Sequence, residues 1–236
     1  ICLSWDTGIR QIKEILDSGT FRSGEGTLQE KDISPAYVAH LTSKVTLKKG
    51  LRVVVDAGNG ACSRIAPAVF SSLGCHVTPL CCEPDGRFPN HEADPVKKKN
   101  LKQLQEKVRE TRADLGVAYD TDGDRLGVVD EQGNIVESNS VFSLFIQSAL
   151  ARNPGSPVVY EVVVSKAVED TIRSSGGKPV LSRVGHSFIQ AALTQHRAVL
   201  GGENSGHYYF PENFGYDDAI FASLKVAELA SATPLS

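Results

Sequence analysis

The stretch GVAYDTDGDRLGVVDEQG, residues 116–133, sets Asp120, Asp122 and Asp124 at alternate positions between two apolar runs. Alternating carboxylates in a loop converge on one point. Left alone, like charges at that distance raise one another's pKa, and a divalent cation removes the cost. Oxygen-only donors select hard ions such as Mg²⁺ or Ca²⁺ over zinc. The spacing parallels a calcium EF-hand loop: with Asp120 as position 1, Asp122 and Asp124 fall at 3 and 5 and Glu131 at 12. Position 6 of such a loop must be Gly for its sharp turn, and here it is Arg125. The flanks also read as strands, where an EF-hand needs helices. A solvated acidic turn is the plainest alternative, since Asp and Gly favour turns. Arg125 argues against it: a guanidinium beside a metal loop suits bidentate recognition of a phosphate, and a cation paired with an arginine suits phosphoryl oxygens. The modest role for Arg125 is to offset the carboxylates.

Other loops carry chemistry more weakly. GGENSGHYYF (201–210) holds Glu203, Ser205 and His207 between glycines. A carboxylate and a hydroxyl suit hydrogen bonding to a polyol, and a histidine exchanges protons near neutral pH; a polar β-turn is the alternative. RVGHSF (183–188) puts Gly185, His186 and Ser187 at a strand-to-helix junction, where backbone N–H groups bind anions, or where His186 merely opens the helix. VVVDAGNGACS resembles half of a dinucleotide fingerprint, with Gly58 and Gly60 present, Ser63 in place of the third glycine, and Glu83 near the position of a ribose-binding acid. A lone GxG is weak, and a tight turn explains it as well. PDGRFPNHEADP, with Pro84, Pro89 and Pro95, reads as a rigid loop without an assigned role, and KKKN (97–100) as a solvated helix start.

These loops need elements to hold them. The continuous apolar run LRVVVD (51–56) predicts a strand buried on both faces. It is followed by a helix ending at Gly74 with Pro67 in its first turn, a strand CHVTPL, a charged amphipathic helix over 95–112, a strand over 114–119, a hairpin turning at Gly133, and a helix over 139–152. A second set follows: strand 156–164, helix 165–177, strand 178–184, helix 185–196, strand 197–203 and a final helix over 216–230. Alternating strands and helices predict α/β layers, with two similar units, mixed and mainly parallel sheets, and three layers in each. The organisation expected is a connector over 1–34, with a helix at 9–15, then a metal-loop unit over 35–153 and a second unit over 154–236, divided at NPGSP. Ser34 is a candidate cap for a helix that has Pro35 early.

Bulk properties exclude several classes. A net charge of −3 gives no electrostatic case for nucleic acid or a membrane surface. No apolar run approaches the ~20 residues of a membrane helix, and the start has no basic segment before an apolar core, so no signal peptide is expected. Five cysteines without metal-type spacing read as reduced thiols in a cytoplasmic protein. The absence of Met, at position 1 as elsewhere, reads as a fragment, a processed chain or an incompletely represented one.

In order and at suitable separations, AYDTDGDRLG, RVGHSF and GGENSGHYYF…GYDDAI resemble the metal loop, a third-domain loop and the sugar-recognition loop of the α-D-phosphohexomutases. VVVDAGNGA and PDGRFPNHEADP resemble the second domain of that family. The likeness runs over residues 5–230 and is greatest to the phosphomannomutase/phosphoglucomutase branch. It implies four domains around a cleft, the first three being related α/β units. It implies that Asp120, Asp122 and Asp124 hold Mg²⁺ with a phosphoserine oxygen, that Arg125 contacts the phosphoryl group, and that Glu203 and Ser205 bind sugar hydroxyls. His207, His186 and Gly185 would line the cleft, with Arg125, His207 and His186 serving the chemistry. The implied reaction moves a phosphoryl group reversibly between the 6- and 1-positions of mannose or glucose through a hexose 1,6-bisphosphate. Three departures stand out. The family's T-A-S-H-N-P serine loop is not in this chain, nor is its C-terminal phosphate-binding domain, and Val163 stands where one branch carries a cleft lysine, with Lys166 near but out of register. The expectation is domains two and three with the tail of domain one, inactive alone. The alternative is a non-catalytic sugar-phosphate-binding module. Asn204 departs from the glucosamine-type loop.

Overall fold

The computed structural model describes residues 3–236. Helix α1 (Arg10–Ser18) is amphipathic yet buries none of its residues, and residues 20–33 are exposed and irregular. Helix α2 (Ser34–Thr42) begins one residue earlier than a Ser34 cap requires: Ile33 holds the cap position, and the Ser34 N–H donates to Asp32 at 2.9 Å.

Strand β1 (Arg52–Asp56) is buried from Val53 onward, as a strand with neighbours on both sides must be. Helix α3 (Ile65–Ser72) leads to β2 (His76–Leu80), half-exposed at the sheet edge. Helix α4 (Lys102–Thr111) starts later than its charged pattern suggests, because residues 98–101 wind as a 3₁₀ turn. Strands β3 (Leu115–Tyr119), β4 (Leu126–Val129) and β5 (Ile135–Val136) complete the sheet. Its order is β2-β1-β3-β4-β5, parallel across β2, β1 and β3 and antiparallel beyond.

Helix α5 (Ser138–Arg152) leads to β6 (Pro157–Glu161), α6 (Lys166–Ser174), β7 (Lys178–Ser182), α7 (His186–His196), β8 (Leu200–Gly202), β9 (Tyr208–Tyr209) and α8 (Ala219–Ala232). The second sheet runs β7-β6-β8-β9, with β9 antiparallel. It repeats the first: a central strand, a parallel neighbour on each side, then an antiparallel return. The expected strand over 156–164 stops at Glu161. Its pairing with β7 ends there, and Val162 and Val163 turn out to solvent at 62% and 59% exposure so that Ser165 can cap α6.

The helices do not stay with the sheets nearest them in sequence. The α5 helix packs mainly on α6 and also touches β4 and β8, while α8 from the chain's end packs on β3 and β4. One core therefore runs through both units, joining Val117 and Tyr119 to Phe142, Phe210 and Phe221. That is why α8 is apolar around most of its circumference. The NPGSP break is only the loop between α5 and β6. Among the described residues no helix is long and apolar enough to cross a membrane.

Candidate functional site

Each sheet delivers a loop at the same topological point, where its third parallel strand turns into its antiparallel fourth. In the first sheet that loop carries the aspartates, in the second Glu203, Ser205 and His207. Ligand sites in α/β folds collect at the carboxyl ends of strands. Here both such ends meet: the Leu126 N–H donates to the Gly206 carbonyl at 3.1 Å, and the Ala219 N–H at the start of α8 donates to the Gly123 carbonyl at 3.0 Å.

The aspartate loop is built on Asp120, which is 1% exposed. Its Oδ1 accepts the N–H groups of Gly123, Asp124 and Arg125, each at 3.1 Å, and its Oδ2 accepts Arg125 Nε at 2.8 Å. Burial first, then the neighbouring Asp124, pushes the Asp120 carboxyl up to about 6 despite those donors. Asp122 is exposed and Asp124 half-buried, and one oxygen of each of the three lies within 4.8 Å of the others. The donor set is all carboxylate and under-neutralised, so it fits a hard divalent ion; bonds of about 2.1 Å would draw the oxygens together. The calcium-hand alternative fails on structure as well as on Arg125. The flanks are β3 and β4, and Glu131 lies in the β4–β5 turn, accepting the N–H of Leu235 at 3.2 Å.

Arg125 does offset the carboxylates: besides Asp120 it reaches Asp94 at 3.1 Å. Asp94 belongs to the Pro-rich loop, which the sequence left without a role. The same loop brings His91 onto the fully buried Asp56, 3.0 and 3.1 Å from its two oxygens, and donating to that carboxylate holds His91 at about 11. The dinucleotide reading does not survive. Its turn is filled by the aspartate loop, since a Cβ on Gly60 would lie 2.7 Å from the Thr121 carbonyl, which accepts the Ala61 N–H at 2.9 Å. The Glu83 carbonyl serves Asn59 within the same turn.

His207 joins the loops. Its Nε2 lies 3.3 Å from Asp124 Oδ1, and its Nδ1 lies 2.7 Å from both Glu203 Oε2 and Ser205 Oγ. Burial pulls the ring's pKa down, but Asp124 and Glu203 outweigh it and hold His207 at about 9. Both carboxyls sit below their ordinary range: burial raises them, and the bond to His207 more than compensates. The Gly185 N–H donates to Glu203 Oε1 at 3.3 Å, so the RVGHSF loop closes on the same carboxylate. His186 opens α7, its ring edge-on to that of His207 with centroids 4.7 Å apart. The expected site residues thus form one connected cluster of contacts. Lys166 stands apart and pairs with Asp170 along α6 at 3.3 Å.

Three residues escaped the sequence reading. Asp217 pairs with His186 and lies next to Asp218, the cap of α8. Buried Glu161 accepts the Asn204 N–H at 2.7 Å and so fixes the β8–β9 loop from β6. Asp94 is the third. Only Asp217 had a local signal, as one of two acids before a helix.

Fold and site together define a pair of central domains of the α-D-phosphohexomutase class. The chain belongs to the phosphoglucomutase/phosphomannomutase family: the model for its alpha/beta/alpha domain II matches residues 35–133, and that for domain III matches residues 137–236. The match places α5 with the second unit, as its packing does. A phosphomannomutase/phosphoglucomutase of Pseudomonas aeruginosa is 40% identical over 224 residues, covering 94% of this chain and 48% of its own. A phosphoglucomutase of Neisseria gonorrhoeae is 39% identical over 228 residues, covering 95% and 50%. A crystal structure of a family protein from Burkholderia thailandensis superposes with a TM-score of 0.89 at 36% identity, over 94% of this chain and 48% of that one. The chain spans about half the length of the curated relatives it matches.

Proposed function

We propose that this chain is the metal-and-sugar half of a mutase that interconverts hexose 6-phosphate and hexose 1-phosphate, mannose or glucose, through a phosphoserine supplied from outside these residues and a 1,6-bisphosphate. The observation that carries the reading is the Asp124–His207–Glu203 chain of contacts, which ties a hard-ion loop to a loop suited to polyol hydroxyls. Asp120, Asp122 and Asp124 would hold Mg²⁺, which when bound withdraws charge from phosphoryl oxygens.

The rest falls to the chain's own side chains. Arg125, fixed by Asp120 and Asp94, keeps about a third of its side chain open to the cleft and presents its guanidinium to phosphate. Glu203 and Ser205 exchange their contacts with His207 for sugar hydroxyls. His207, carrying a proton through neutral pH, hands it to or takes it from the oxygen that loses or gains phosphate. Val163 is exposed beside the end of β6 and has no proton to give. Without the serine loop the chain alone is expected to be inactive.

The test is turnover of glucose and mannose 6-phosphates by the product of the full reading frame. Asp122→Ala there should lower kcat by on the order of 10²–10³. Unaltered turnover, or a full-length product that binds sugar phosphate without converting it, would refute the mutase reading.

A further inference from the structure

The aspartate loop is not the only place in the cleft where metal-ligating atoms converge. Asp124, His186, His207 and Asp217 each offer a donor atom within 4.8 Å of the others. These four come from four separated points of the chain: the β3–β4 loop, the first turn of α7, the end of the β8–β9 loop, and the residue before the α8 cap. Asp124 belongs to this group and to the three-aspartate group alike.

We propose that these four residues form a second divalent-cation site, of the zinc type, adjoining the hard-ion site and sharing Asp124 with it. The donor chemistry differs from the first site in the way that separates metals. Two imidazoles with two carboxylates suit a borderline ion, whereas three carboxylates suit Mg²⁺. One pair already has the spacing of co-ligands, while His186 and Asp217, in direct contact, would part to admit the ion. Bonds of about 2.0–2.2 Å place adjacent ligands of a tetrahedral ion about 3.3–3.6 Å apart, and His207 Nε2 lies 3.3 Å from Asp124 Oδ1.

The surroundings of His207 add an independent argument. A metal-binding histidine normally donates its other ring N–H to a carboxylate, which fixes ring orientation and tautomer. Glu203 Oε2 stands 2.7 Å from Nδ1, leaving Nε2 as the atom that faces Asp124. His186 meets Asp217 through Nδ1, with the Tyr209 hydroxyl 3.5 Å from that same atom. His186 is 46% exposed along its side chain, so an ion has a path in.

Binding at this site does not depend on the mutase reading. Its consequence does: a zinc-type ion there would occupy His207 and His186 and keep a sugar phosphate out, so the cleft would respond in opposite senses to two classes of cation.

The experiment titrates this 236-residue chain with Zn²⁺ in the presence of saturating Mg²⁺, by calorimetry, and with Co²⁺ by visible absorption. One Zn²⁺ per chain is expected, together with the intense bands of four-coordinate Co²⁺. His186→Ala and, separately, Asp217→Asn should each weaken Zn²⁺ binding by more than about tenfold and bleach those bands, with Mg²⁺ affinity retained. Circular dichroism of each variant establishes that it is folded. Cys81→Ser is the control for the Asp56–Cys81–His91 group and should change nothing. Zn²⁺ binding unchanged in both His186→Ala and Asp217→Asn, lost in Cys81→Ser, or abolished by Mg²⁺ overturns the proposal. Failure of turnover in the full-length protein would leave these results standing, and the reverse.

Discussion

His207 Nε2 lies 3.3 Å from Asp124 Oδ1, one residue from each of two sheets that share a topology. This contact and the Leu126–Gly206 hydrogen bond beside it make two repeated units into one site.

The contact has a pH signature. His207 is held at about 9 against an ordinary 6.5, so the folded chain binds this proton more tightly than the unfolded chain does. Its contribution to stability is full below pH 6.5 and fades as pH rises through about 9. In metal-free chain the urea midpoint should fall across that window by the equivalent of on the order of 2 kcal/mol. His207→Gln should flatten the profile there.

The aspartates should separate into different roles. Asp120 accepts three backbone N–H groups and the Arg125 guanidinium, so Asp120→Ala leaves buried donors without a partner and should cost roughly 3 kcal/mol in urea unfolding. Asp122 is exposed, and Asp122→Ala should leave the unfolding midpoint within about 0.5 kcal/mol of the parent. Calorimetry with Mg²⁺ should nevertheless show a loss of affinity in Asp122→Ala of tenfold or more.

Gly206 should not tolerate a side chain. Its φ is +92°, and a Cβ would lie 2.8 Å from the Leu126 carbonyl, part of the backbone of the opposing unit. Gly206→Ala should destabilise by about 1–3 kcal/mol and speed hydrogen exchange at the Leu126 amide. Gly155→Ala, in an open turn at φ +77°, should cost less, because the strain there is only conformational.

The Pro-rich loop should depend on its buried ion pair. Asp56 is fully buried, and His91 is held charged at about 11. His91→Ala should cost about 3–5 kcal/mol, because it strands a buried charge. Asp56→Asn combined with His91→Ala should recover part of that loss in chemical denaturation.

Local structure followed from neighbouring residues alone. The run VVVD could only be a central strand, glycines at 74 and 133 stopped a helix and turned a hairpin, and Arg125 at the sixth loop position excluded a calcium hand. Alternating strands and helices dictated two α/β units with mixed sheets, and the candidate site residues stood out within their own loops. Periodicity is a property of neighbours in sequence, and these elements answer to their neighbours. Where the reading missed, partners distant in sequence had decided. The β6 strand ends at Glu161 because its last partner in β8 faces Tyr160 and its last in β7 faces Glu161, although VVV continues. The α5 and α8 helices cross between the units because the apolar faces of both sheets meet at one seam, and no pattern in either helix says which sheet it covers. Tertiary structure alone brought Asp94 to Arg125 and Asp217 to His186, and set His207 between Glu203 and Asp124. Charges separated by 31 or more residues approach only when the backbone between them is already folded, and their energies are then set by burial that no local stretch encodes.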